Sequence, residues 1–158
     1  MGRFEKIFGI LFLIALIFKI ASIPGGSVML TIALSSFACF YFFFGIAIFN
    51  KIGQENIFDK KSYKGISTLR IIGSFCAGWG LSVFCIGILF NIMQFPGEKI
   101  ILLVGSITIS IVAIIALVRF LQSKTDFYKT ILLRIAIIGG LGLFSLLIAS
   151  DFFTIIRT

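Results

Sequence analysis

Histidine is absent from this chain, and acids are scarce: Glu5, Glu55, Asp59, Glu98, Asp126 and Asp151 are the only six in 158 residues. Without histidine the commonest metal ligand and proton shuttle is missing, which argues against redox and hydrolytic chemistry. The three cysteines, Cys39, Cys76 and Cys85, fall inside apolar runs, where a thiol behaves as a small hydrophobe. They suggest neither a disulfide framework nor a metal site. No nucleophile–base pair or metal constellation can be assembled, so the sequence predicts no enzyme, no catalytic residue and no cofactor. Long polar stretches are missing too. Residues 50–66 form the longest one, too short for a soluble domain.

What is present is apolar. Hydrophobic residues make up 59% of the chain, charged residues only 13%, and there are twenty phenylalanines. That balance lies far outside soluble globular proteins and reads as a single integral membrane domain. The net charge of +8 does not point to nucleic acid, because the Lys and Arg residues sit between apolar segments rather than along a soluble face. The bilayer is the expected partner, together with other membrane proteins or a second copy.

Only two prolines occur, and each is followed by glycine. The stretch Phe18-Lys19-Ile20-Ala21-Ser22-Ile23-Pro24-Gly25 returns 72 residues later as Phe90-Asn91-Ile92-Met93-Gln94-Phe95-Pro96-Gly97. Aligned without a gap over residues 9–30 and 81–102, the copies agree at seven of twenty-two positions. Proline stops a helix and biases its predecessor away from helical geometry, so Pro24-Gly25 and Pro96-Gly97 read as tight turns between antiparallel spans. The expected spans cover residues 7–23, 27–49, 71–93, 100–117 and 131–150, with Ser27 capping the second and Glu98 suiting the positive start of the fourth. A cleaved signal peptide is disfavoured, since Lys19 or Ile20 would occupy the small-residue cleavage site.

The fold expected is therefore all-α, with five transmembrane helices in two helical hairpins and one unpaired C-terminal helix. The hairpin repeats occupy residues 4–50 and 67–121, a loop covers 51–66, and the last helix covers 128–156. A weaker echo, Tyr63-Lys64 to Gly73 against Tyr128-Lys129 to Gly139, hints that the fifth helix opens a third copy, whose Pro-Gly turn would fall at position 160. Eleven basic residues fall on the N-terminal side of such a bundle and three, Lys19, Lys99 and Arg157, on the other. The positive-inside rule then puts the N-terminus in the cytoplasm and the C-terminus outside, and the two hairpins form a parallel repeat. Tyr63, Phe127 and Tyr128 beside lysines read as interfacial anchors.

Small residues four apart, Gly73/Ala77, Ser74/Gly78 and Cys76/Gly80, predict close helix packing in the first half of the third span. Lys19 near the outer edge either snorkels to the headgroups or pairs with Asp151, which would tie the fifth helix to the first hairpin. Asn91 and Gln94 take the places of Lys19 and Ser22 in the second copy. They form interhelical hydrogen bonds or, with Lys19, a polar site between the repeats.

The Pro-Gly units resemble the membrane domain of the GldL family of gliding-motility and type IX secretion proteins, which carries Phe-Lys-x-x-His-Trp-Pro-Gly-Ala followed by Met-Leu. Phe18, Lys19, Pro24, Gly25, Met29 and Leu30 match in the first copy; Phe90, Pro96, Gly97 and Leu102 match in the second. The resemblance implies a bacterial inner-membrane protein whose hairpins pack into an envelope assembly. It also implies a proton-carrying glutamate about a dozen residues past each turn. Here those neighbourhoods read Ser35-Ser36-Phe37 and Thr108-Ile109-Ser110, so no motor is expected. The leading expectation is a scaffold or assembly component; the alternative is a small transporter or channel-like carrier.

Overall fold

The computed structural model describes residues 3–156, with the side chains of Gln54 and of residues 145–156 outside that description. Within it the chain forms five α-helices and no strand: α1 Arg3–Ile20, α2 Gly26–Phe49, α3 Thr68–Met93, α4 Glu98–Ser123 and α5 Asp126–Ile156. Two short 3₁₀ turns, Gln54–Asn56 and Lys60–Tyr63, shape the α2–α3 connection. Four of the helices, α2 to α5, are long and apolar enough to cross a membrane. α1 has eighteen residues and carries Arg3, Glu5, Lys6 and Lys19. Every helix begins before the span expected from hydropathy and none but α1 ends short of it, because a helix continues through residues that flank the apolar stretch.

α1 is the exception at its C-terminal end, stopping at Ile20 rather than residue 23. Ser22 takes a left-handed conformation (φ 53°), its N–H bonding the Lys19 carbonyl and the Ile23 N–H the Phe18 carbonyl. That is a Schellman closure with proline just beyond it. Seventy-two residues on, Gln94 (φ 56°) bonds to Asn91 and Phe95 to Phe90. The parallel continues past each proline: Gly26 bonds Ile23 and Met29 bonds Gly25, as Glu98 bonds Phe95 and Ile101 bonds Gly97. Gly25 (φ 88°) and Gly97 (φ 82°) are the residues that start α2 and α4. Ser27 is not the cap; its hydroxyl lies one residue inside α2 and accepts from Lys19.

These turns carry a paired prediction. Ser22 occupies left-handed backbone where a Cβ is unfavourable, whereas a Cβ at Gly25 would meet no atom within 4 Å and suffer only its positive φ. Ser22→Gly should therefore raise stability, and Gly25→Ala lower it, each by about 1 kcal/mol. Thermal unfolding in detergent with opposite shifts is the expected result; shifts of the same sign would contradict it.

α3 is the central helix, packed on α2, α4 and α5, while α1 lies against α2 and touches α5. The small residues of α3 divide among these partners. Gly78 and Ser74 meet Gly45 of α2; Gly80 faces Thr108 and Ile109 of α4; Gly73 faces Phe127 of α5. Close packing is thus satisfied inside one chain. The core follows the same centre, through Phe12, Leu16, Leu30, Leu34, Tyr41, Leu81, Phe84 and Ile88. α4 is covered on one side only and leaves Ile100, Leu103, Ile107, Ile111 and Ile114 exposed.

Candidate functional site

Polar chemistry is concentrated at one end of the bundle, where α1, α3 and α5 begin and α2 ends. Glu5 lies in the first turn of α1, where free N–H groups and the helix dipole favour a carboxylate. It is 1% exposed. Arg134, eight residues into α5 and 7% exposed, grips it with both arms of the guanidinium: Nε donates to Oε1 at 2.5 Å and Nη2 to Oε2 at 3.1 Å. The Tyr41 hydroxyl of α2 donates to the same Oε1 at 2.7 Å. The guanidinium also stands 5.3 Å from the centre of the Phe49 ring. Three helices therefore meet on one buried carboxylate, whose charge Arg134 balances.

Such a pair is a weak net stabiliser, because desolvating two ions offsets much of their attraction. Its consequence is positional. A two-pronged Arg–carboxylate contact has a fixed geometry, so α1 and α5 are held in one register with α2 as the third point.

A second set of contacts surrounds the first. Asn50, at the end of α2, donates from Nδ2 to the Ser74 hydroxyl of α3 at 2.9 Å, and that hydroxyl donates in turn to the Arg70 carbonyl at 2.7 Å. Arg70 lies over the Phe127 ring at 5.2 Å. Phe127 is itself buried, so it serves packing rather than the interfacial anchoring expected of it. Tyr63 is half-buried and donates to the Ile57 carbonyl within its own loop. Lys51 and Asp126 form an exposed pair at 3.1 Å, a solvent-screened contact that adds little.

The residues singled out from sequence lie at the opposite end. Lys19 donates from Nζ to the Ser27 hydroxyl at 2.9 Å, bridging its own turn. Asp151, its proposed partner, falls outside the described side chains, so the link of α5 to α1 that the structure does describe is Arg134–Glu5. Gln94 is exposed and donates to the Asn91 carbonyl at 2.8 Å, again within one turn. Asn91 is half-buried on α3. Among the described residues no hydrogen bond joins Lys19 to Asn91 or Gln94. Pro24, Gly25, Pro96 and Gly97 occupy the turns expected of them.

Glu5 and Arg134 were not legible as a pair. Glu5 precedes the apolar run that delimits a span, and Arg134 reads as one more positive-inside residue. The available signal was that Arg134 falls inside the expected fifth span, where a guanidinium needs a partner. Chemically the cluster joins helices and balances charge, with all three polar groups engaged. Compared with known protein families, curated proteins and solved structures, the chain matches none.

Proposed function

We propose that the chain is a five-span protein of the bacterial cytoplasmic membrane that serves as a non-enzymatic assembly or scaffold component of an envelope complex. In this reading the bundle comprises two GldL-like hairpins and a fifth helix, and is not itself a proton motor. The four hydrogen bonds shared by the Ser22 and Gln94 turns support a duplicated hairpin. α1 serves as the fifth span: its eighteen residues reach about 27 Å, close to the ~30 Å hydrocarbon core. Arg3 and Lys6 lie at one end and Lys19 at the other, while Glu5 is balanced by Arg134. The basic end then faces the cytoplasm and both Pro-Gly turns face outward.

The observation that carries the scaffold reading is the buried Glu5–Arg134–Tyr41 junction. It spends the polar chemistry of three helices on holding them in one arrangement, with Leu, Phe and Ile side chains filling the interior beyond it. A carrier would need Lys19, Asn91 and Gln94 to share one space, and Lys19 and Gln94 are each engaged within their own turn. A photoreactive residue at Ile23 or Phe95, on the exposed turns, should give a discrete crosslinked product with a membrane protein or second copy in cells. A monodisperse monomer in mild detergent, with no product from either position, would overturn the proposal.

A further inference from the structure

At the basic end, α3, α4 and α5 enclose a crevice of about 210 Å³. Its floor is made of small or slender side chains: Gly73 and Cys76 of α3, Val112 and Ala116 of α4. Gly73 lies against the Phe127 ring, which a Cβ there would touch at an ordinary 3.8 Å. The walls are almost wholly apolar. At its rim stand Arg119 and Tyr128. Arg119 is exposed and makes neither an ion pair nor a side-chain hydrogen bond among the described residues. The nearest acid in sequence, Asp126, is taken by Lys51.

We propose that this crevice binds an anionic phospholipid, one acyl chain lying along Gly73, Cys76 and Ala116 and the phosphate on the Arg119 guanidinium. Charge complementarity selects the occupant. Arg119 is the one charged residue lining the crevice, and a guanidinium suits a phosphate through paired N–H bonds. An apolar slot with a cationic rim matches an amphiphile with an anionic head, while free phosphate would leave the slot unused. Tyr128 fits the headgroup level, where amphipathic aromatic rings concentrate. The inference goes beyond the scaffold reading and requires only that the chain lie in a bilayer.

The test uses full-length protein in detergent, with phosphatidylglycerol or phosphatidylcholine of identical acyl chains added and bound lipid counted by native mass spectrometry. Wild type should retain one phosphatidylglycerol with about fivefold preference. Arg119→Gln, at an exposed position outside the core, should bring that preference to about one. Cys76→Phe should abolish retention of both lipids by filling the slot. As a readout that leaves the crevice lining unchanged, a Cys39→Ala, Cys85→Ala background should show Cys76 alkylated more slowly with phosphatidylglycerol than with phosphatidylcholine. Equal retention of the two lipids by wild type, an unchanged preference in Arg119→Gln, or no protection of Cys76 would overturn the site. None of these results bears on the crosslinking that tests the scaffold reading.

Discussion

Glu5→Gln should destabilise the bundle by about 3–5 kcal/mol, the cost of leaving a buried charge without its partner. The substitution keeps the shape of the side chain and both of its polar atoms, so lost packing does not explain the effect. What remains is the Arg134 guanidinium, 7% exposed and facing a neutral amide. Arg134→Met should cost a similar amount, because it strands the carboxylate instead. Tyr41→Phe removes one hydrogen bond to a charged acceptor and should cost less, about 1.5–3 kcal/mol. The decisive variant is the double one. Glu5→Met with Arg134→Met removes both charges from a buried site and should recover most of the stability lost by either single change. Equilibrium unfolding in mixed detergent micelles measures all four. Additive losses in the double variant would mean that the two residues act separately and that their contact is incidental.

The same pair shows where sequence reasoning reached its limit. Apolar runs, Pro-Gly turns and small-residue spacing are local signals, and each led to the right kind of element: five helices, two tight turns, close approaches along α3. Burial of a charge is not local. Glu5 and Arg134 are 129 residues apart, and nothing in either neighbourhood distinguishes a paired ion from one that snorkels to the interface. Hydropathy also marks where an apolar run stops, so Glu5 lies outside the span it predicts although the helix starts at Arg3. Lys19 illustrates the converse. A lysine near an outer edge draws attention to distant acids, yet an eight-residue reach across its own turn brings Ser27 to it. The Ser74/Gly78 spacing was readable as a contact face, but its partner on α2 was not, because a glycine stripe records closeness and carries no address.

That stripe underlies the second large effect. Gly78→Ala adds one methyl group, and its Cβ would lie 2.7 Å from the Tyr41 carbonyl oxygen and 3.1 Å from the Gly45 Cα. Both are backbone atoms on α2, so neither can rotate away and the helices must separate. Overpacking a tight interface costs about 1–3 kcal/mol, and a backbone-to-backbone contact belongs at or above the top of that range. Gly140→Ala provides the control, since its Cβ meets nothing within 4 Å and alanine is the better helix former. It should leave stability unchanged or slightly raised. The two glycines are thus expected to respond oppositely to the same substitution. A further consequence separates a local clash from a wider one. Tyr41 contributes both the carbonyl that Gly78 abuts and the hydroxyl that reaches Glu5, so moving α2 away from α3 also pulls on the ion pair. In a background already carrying Glu5→Met and Arg134→Met, Gly78→Ala should therefore cost less than in wild type. An equal cost in both backgrounds would show that the glycine crossing and the buried charge pair are independent, and that α2 does not transmit strain between them.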